Sequence, residues 1–128
     1  MGKNQPEELM SVSKTFWALV AKYIMTFVLA WLTFGMMLDN PLGTIAMVAL
    51  LATVANYFVG DSLIYPAFGN IIAAIGDGLL AAAIFYLAAF VTPNFTVDVQ
   101  SLVLYGVLVL LGEYFFHRYF AASEEVEP

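Results

Sequence analysis

The chain has 128 residues, of which 62% are hydrophobic and 11% are charged, and its formal net charge is −6. Soluble domains average roughly 45–50% apolar and about 25% charged residues. A soluble core of this length cannot bury so much apolar surface, so the composition excludes a soluble globular domain and makes lipid the solvent. The absence of cysteine excludes disulfides and thiolate metal sites, and the absence of a basic cluster excludes nucleic acid as an expected partner.

The apolar runs are continuous, whereas the strands of a membrane barrel alternate between apolar and polar residues. Helices then remain as the structure that satisfies the backbone in lipid. We predict an all-α fold, a four-transmembrane-helix bundle with antiparallel up-down topology and both termini in the cytoplasm. The predicted spans cover residues 15–38, 42–62, 70–92 and 99–120.

The terminal segments are polar. Residues 1–14 are predicted to be a cytoplasmic segment, and its Glu7 and Glu8 do not suit a signal peptide, so the first span should stay as an anchor. Pro6 and the two acids fit the start of a short helix, and a frayed terminus fits equally well. Residues 121–128 are predicted to be an acidic, disordered cytoplasmic tail.

Two connections are visible in the sequence. Asp39-Asn40-Pro41 is predicted to be a turn in which an Asx side chain caps the next helix. The second span is predicted to end between residues 59 and 64, because Pro66 and Gly69 interrupt the apolar run that follows. Residues 62–69 are therefore interpreted as a tight, partly embedded connection.

The orientation follows from basic residues near the ends of the spans. Lys3, Lys14, His117 and Arg118 flank the first and fourth spans, and the loops at residues 39–41 and 92–98 have none. With four spans, this distribution places both termini in the cytoplasm.

Small and polar residues recur on one face of each span, which is typical of helix–helix seams in membranes. On the third span, Ala73, Asp77 and Ala81 repeat every four residues, so Asp77 should face the bundle. The same pattern holds for Ala52, Asn56 and Gly60 on the second span, Lys22, Thr26 and Thr33 on the first, and Gly106, Glu113 and His117 on the fourth.

On this topology several charged residues share one depth. Lys22, Asp77 and Glu113 each lie six or seven residues from the cytoplasmic end of a span, roughly 9–11 Å deep. The predicted polar layer consists of Lys22, Asn56, Asp61, Asp77, Glu113 and His117. One interpretation is an ion pair that fixes the helix register. The other starts from the excess of acids, which would hold a proton or a cation, and a site completed by another protein is a third.

Taken singly, Asp61 is predicted to be an interfacial carboxylate that caps or breaks a helix, and His117 an interfacial, snorkelling side chain. One histidine with scattered carboxylates does not predict a metal site, and no nucleophile, zinc-protease or phosphate-loop motif is present. We therefore expect no enzymatic activity, no metal and no cofactor. The expected partners are the lipid bilayer and a second copy or a larger membrane complex.

The segment from Gly60-Asp61 through Ile64, Pro66 and Gly69-Asn70 to Asp77-Gly78, with His117-Arg118 after the last span, resembles the YndM-like family. These are small four-span membrane proteins of unknown function from Gram-positive bacteria. The resemblance implies a bacterial cytoplasmic-membrane location and a four-helix fold, and it implies no activity. Small multidrug transporters are a functional analogy by size, but they place an acid in the first span, where this chain has Lys22.

The leading functional prediction is a structural or accessory membrane protein. The alternative is a small proton- or cation-coupled transporter or channel that uses Lys22, Asp77 and Glu113.

Overall fold

The computed structural model describes residues 5–126, with side chains from Lys14 to Tyr119, and this part of the chain contains helices and no strand. The helices are α1 (Gln5–Ala30), α2 (Leu42–Asn56), α3 (Tyr65–Phe68), α4 (Asn70–Val91) and α5 (Val99–Val126). Two π-helical segments, Trp31–Gly35 and Tyr57–Ile64, extend α1 and join α2 to α3. Lys3, which contributes to the predicted orientation, lies outside the described residues.

Four helices are long and apolar enough to cross a membrane, which confirms the all-α prediction. The spans are Lys14–Gly35, Leu42–Phe68, Asn70–Val91 and Val99–Tyr119, here called the first to fourth spans. The fourth span packs most extensively on the third, and the second packs on both the first and the third.

The second span is longer than the sequence analysis expects. The helix does not end between residues 59 and 64 but continues through Tyr57–Ile64 and α3 to Phe68. Pro66 lies in the first turn of α3, directly after the π-helical segment Tyr57–Ile64, and the span continues through it. Gly69 then ends the helix with a φ of 89°, a conformation that favours glycine. Residues 62–68 are therefore part of a span and not a loop.

The terminal segments are more helical than expected. α1 begins at Gln5, which confirms the helical interpretation of the segment around Pro6. α5 continues to Val126, so the prediction of a disordered tail is wrong up to that residue. Alanine and glutamate between residues 121 and 126 favour helix, and they extend one that the span has already nucleated. Residues 127 and 128 lie beyond the described part.

One face of each span is buried and the other carries large apolar side chains. On the fourth span the buried residues recur every four positions, at Ser101, Tyr105, Val109, Glu113 and His117. The seam predicted on the third span is confirmed, because Ala73, Asp77 and Ala81 are all buried. The exposed face suits lipid, as the composition predicts.

Glycines bring the third and fourth spans close together. A Cβ atom added at Gly78 would lie 2.5 Å from the backbone oxygen of Gly106. A side chain at position 78 would separate these helices, so Gly78 sets their distance, whereas a Cβ atom added at Gly106 would lie 3.4 Å from the Gly78 carbonyl oxygen, an ordinary contact. This approach fixes the position of Asp77 relative to Glu113, since each lies on the same helix as one of the glycines.

At the end of the bundle that carries the loops around residues 40 and 95, aromatic rings fill the core. The Phe34 and Phe85 ring centroids are 4.7 Å apart, and the Tyr105 centroid lies 5.0 Å from Phe34 and 4.9 Å from Phe85. Phe95 covers this group from the loop before α5. We call these four residues the aromatic end; all are at most 2% exposed.

Asn40 ties the two loops at the aromatic end together. Its side-chain amide donates to the carbonyl oxygens of Phe34 at 3.0 Å and Thr96 at 2.7 Å, and its Oδ1 accepts from the Thr96 N–H at 2.8 Å. The prediction that an Asx residue caps α2 is wrong, because the N-cap is Pro41 and carries no side-chain hydrogen bond. The Asn40 side chain satisfies the neighbouring loop instead.

Asp98 caps the start of α5. Its Oδ1 accepts from the Ser101 N–H at 2.7 Å, and the Ser101 hydroxyl oxygen accepts from the Asp98 N–H at 3.1 Å. The backbone hydrogen bond from Ser101 holds the pKa of Asp98 below its ordinary value. This reciprocal pair satisfies two of the donors that a helix start leaves open.

Candidate functional site

Lys22 lies in the buried core of the first span and is 2% exposed. Its ammonium group donates to Asp61 Oδ2 on the second span. It also lies 3.1 Å from Glu113 Oε1 on the fourth span, an ion pair without hydrogen-bond geometry. Lys22 therefore joins three spans, and it does so through two acids.

His117 is the centre on which the acids converge. Its Nε2 lies 3.0 Å from Asp61 Oδ1, 3.4 Å from Asp77 Oδ2 and 3.4 Å from Glu113 Oε1. The His117 side chain is 5% exposed, while that of Asp61 is 24% exposed. Asp61 is thus the member of the group that reaches the surface.

Asn70 sets the tautomer of His117. The Asn70 amide nitrogen donates to the Tyr114 carbonyl at 3.1 Å, so Asn70 Oδ1 faces His117 Nδ1, at 2.9 Å. Because an amide oxygen only accepts, Nδ1 must carry a hydrogen and donate it. The Tyr65 ring packs edge-on against the imidazole at 4.7 Å. These contacts aim Nε2 at the three carboxylates.

Asp77 is seated against Gly60. A Cβ atom added at Gly60 would lie 1.9 Å from Asp77 Oδ1, so only glycine leaves room for this carboxylate. Gly60 belongs to the π-helical segment Tyr57–Ile64, and segments of this kind are frequent at functional sites. The Tyr65 N–H donates to the Gly60 carbonyl, five residues back, which keeps the widened turn hydrogen-bonded.

The structure brings five of the six predicted polar-layer residues together: Lys22, Asp61, Asp77, Glu113 and His117. We call these five residues the acid cluster. Asn56 is also fully buried, but among the described residues its amide has no hydrogen-bond partner.

Three expectations about the site residues are wrong. His117 is not interfacial, because it lies on the same four-residue stripe as Glu113 and that stripe faces the core. Asp61 does not cap or break a helix, because the second span continues for about two turns beyond it. The carboxylates are not scattered, since ligand atoms of Asp61, Asp77, Glu113 and His117 all lie within 4.8 Å of one another.

Sequence reasoning missed Asn70, Gly60 and Tyr65 as supports of the site. Asn70 lies two helical turns before Asp77 on the same span, and this seven-residue spacing indicates that both side chains lie on the same helix face. The sequence analysis places Gly60 on a small-residue face, and the structure shows that this face makes room for the Asp77 carboxylate. Nothing in the sequence indicates that Tyr65 contacts His117.

A family model described as a protein of unknown function, DUF2512, matches residues 13–127. The chain belongs to the DUF2512 family. This match confirms the expected membership of a family of unknown function, and the description does not carry the YndM-like name. Searches of curated proteins and of solved structures found no match.

In this DUF2512 chain the matched segment contains the whole acid cluster and the aromatic end. The family description assigns no activity, so the chemistry of the site has to be argued from its geometry. That geometry provides one imidazole nitrogen, three carboxylates and one ammonium group at the meeting point of four helices.

Proposed function

We propose that this DUF2512 protein is a small cation transporter, for protons or metal ions, of the bacterial cytoplasmic membrane. The proposal is carried by one observation: three carboxylates share a buried site with only one lysine and one histidine. The protein is not proposed to be an enzyme. Its cargo is a cation that compensates the excess negative charge.

The excess of acid distinguishes this site from a structural ion pair. Lys22 with either Asp61 or Glu113 would be enough to link helices, and a further buried carboxylate adds a desolvation cost. Asp77 is such a carboxylate: it is fully buried, and neither of its oxygens has a hydrogen bond within the described residues. Acids kept in membrane interiors at such cost commonly mark ion and proton pathways.

We propose that ions reach the site from one side of the bundle. Asp61, which is partly exposed, offers an entrance at the cluster end of the bundle. The opposite half is closed by the aromatic end, whose rings stack at centroid distances of 4.7–5.0 Å. Transport would therefore proceed by alternating access and not through an open pore.

The proposed orientation places both termini in the cytoplasm. Lys14 and Arg118 are exposed at the ends of the first and fourth spans, at the cluster end of the bundle. Positive residues favour the cytoplasmic side. His117 no longer supports this argument, because it is buried in the cluster. The Asp61 entrance would then face the cytoplasm.

A structural or accessory role is the second candidate function, and the placement of the cluster favours it. The five ionisable residues of the acid cluster come from all four spans, so their contacts can fix the positions of the four helices relative to one another. In this role the protein would work with a second copy or as part of a larger membrane complex.

Reconstitution separates the two functions. The full chain is placed in liposomes, and two assays are run. Proton flux is followed with an internal pH-sensitive dye after a pH gradient is applied, and metal flux with an internal metal-sensitive dye after a gradient of Zn²⁺ or Mn²⁺ is applied. Wild-type protein should give protein-dependent flux, and Asp77→Asn should abolish it. Asp39→Asn is the matched control, because Asp39 is an exposed acid and Asn tolerates its positive φ of 57°.

The structural role predicts a different pattern. No flux would be measured with the wild-type protein, and Asp77→Asn would only change the melting temperature in detergent. Flux that is equal in wild type and in Asp77→Asn would also reject the proposed transport site.

A further inference from the structure

We propose that the acid cluster is a binding site for a divalent transition-metal ion, with Asp61, Asp77, Glu113 and His117 as ligands. This inference rests on the proposed function, because it names the cation that the site accepts. Lys22 is not a ligand in this arrangement. It remains beside the site as a fixed positive charge.

The ligand atoms already have the spacing of a compact coordination shell. Zn²⁺ binds imidazole nitrogen and carboxylate oxygen at about 2.0–2.2 Å, so neighbouring ligands of a tetrahedral site lie about 3.4 Å apart. His117 Nε2 lies 3.0, 3.4 and 3.4 Å from oxygens of Asp61, Asp77 and Glu113. All four ligand atoms fall within 4.8 Å of one another. Small side-chain shifts would complete the shell.

The hydrogen bond of His117 to Asn70 is independent support. Histidines that bind metals almost always donate their other ring N–H to an oxygen, which fixes the ring and its tautomer. Here Nδ1 donates to Asn70 Oδ1 at 2.9 Å, and Asn70 is itself held by the Tyr114 carbonyl. A bound metal ion would replace the hydrogen that Nε2 shares with Asp61, and the neutral ring would then offer its Nε2 lone pair to the ion.

The two innermost acids form ion pairs but no hydrogen bonds within the described residues. Asp77 and Glu113 are fully buried. Among the described residues, none of their four carboxylate oxygens takes part in a hydrogen bond. A bound cation would supply the interaction that such oxygens need in a medium without water. Lys22 does not replace it at Asp77, since its hydrogen bond goes to Asp61 Oδ2 and its second ion pair to Glu113 Oε1.

The charges favour a divalent ion. Three carboxylates carry three negative charges, and Lys22 offsets one of them. A divalent ion bound by a neutral His117 offsets the other two, so the occupied site is neutral, which a low-dielectric interior favours. A monovalent metal ion would leave one negative charge uncompensated.

The ligand set also narrows the element. Carboxylate oxygens alone suit Mg²⁺ and Ca²⁺, whereas imidazole suits zinc, iron and other transition metals. One imidazole with three carboxylates therefore points to Zn²⁺, Mn²⁺ or Fe²⁺. The four ligand residues contain no soft sulfur donor of the kind that selects Cu⁺.

The test uses the full chain in nanodiscs, stripped of metal and titrated with Zn²⁺ or Mn²⁺ alone. Wild type should bind one ion per chain, and Mg²⁺ should not displace it. His117→Gln and Glu113→Gln should weaken binding at least tenfold, and Asn70→Ala by about 10–100-fold through loss of the ring support. Asp39→Asn should bind as wild type does.

X-ray absorption at the zinc edge of the wild-type protein needs no variant, so a variant that does not fold leaves the proposal testable. The expected first shell contains one imidazole nitrogen and three oxygens at about 2.0–2.2 Å. The inference is overturned by a shell without imidazole, by the absence of stoichiometric binding, or by affinity that His117→Gln leaves unchanged.

The results also separate this inference from the proposed function. Proton flux that needs Asp77, without metal binding, would overturn the metal site and leave transport standing. Stoichiometric metal binding without any flux would leave the metal site standing and reject transport.

Discussion

The two ends of the bundle differ in the chemistry of their buried side chains. The aromatic end consists of four rings packed by shape, and the acid cluster consists of five ionisable side chains held by charge. Between helices in lipid there is little hydrophobic driving force, so association needs either close packing or polar contacts. This chain uses one in each half. Because the aromatic end packs the helices without charge, the other end can keep Asp77, a buried acid without a hydrogen bond within the described residues.

The largest expected effect is at the aromatic end. Phe85→Ala removes a fully buried ring that contacts Phe34, Phe95 and Tyr105, and we expect a loss of about 3–5 kcal/mol in the free energy of unfolding. The measurement is reversible unfolding in mixed micelles. Phe90→Ala is the control, because Phe90 is 71% exposed and leaves no internal cavity.

The comparison would fail if Phe85→Ala and Phe90→Ala unfolded at the same denaturant concentration. The aromatic end would then not be the part that holds the helices together.

The next effect is at the cluster. Lys22→Met leaves Asp61 and Glu113 without their shared cation and should cost roughly 3 kcal/mol, the lower end of the 3–5 kcal/mol measured for some buried pairs in soluble proteins. Lys14→Met, at an exposed position of the same helix, should cost less than about 1 kcal/mol. Thermal unfolding in detergent measures both. Equal melting temperatures would show that Lys22 does not stabilise the bundle.

Gly60→Ala tests the seat of Asp77. The added Cβ meets the Asp77 carboxylate at 1.9 Å and must displace it, so we expect a cost of about 1–3 kcal/mol and a loss of metal binding. Gly43→Ala is the matched control, since nothing lies within 4 Å of its Cβ. There, alanine should be neutral or stabilise the helix by up to about 1 kcal/mol. Unaltered metal affinity in Gly60→Ala would contradict the seat.

The smallest effect is expected for the loop contact. Asn40→Ala removes the hydrogen bonds to Phe34 and Thr96 and should cost about 1–2 kcal/mol without changing metal binding. Asn94→Ala, at an exposed position of the second loop, is the control. A change in metal affinity on replacing Asn40 would show that the two ends are coupled.

Much of the fold could be predicted because lipid imposes simple rules. Continuous apolar runs gave four helices, and the spacing of Ala73, Asp77 and Ala81 gave the buried face of the third span. The depth of Lys22, Asp77 and Glu113 could be counted from the span ends, and the structure does bring these residues into one cluster. These properties depend on helix geometry alone.

The roles of Asp61 and His117 could not be predicted in the same way. Pro66 reads as the end of a helix, yet it lies in the first turn of α3, and the extra length carries Asp61 into the core. His117 is adjacent to Arg118, so its position near a span end suggested an interfacial side chain. Its contacts with Asn70 and Tyr65 depend on how three helices pack, which hydrophobic periodicity does not specify.

The clasp that Asn40 makes between the two loops has a mechanical consequence. Because the two loops are joined at the aromatic end, the helices can separate more at the cluster end than at the aromatic end. Spin labels placed near residue 64 and residue 118 would then report larger distance changes when a metal ion binds than labels near residue 38 and residue 96.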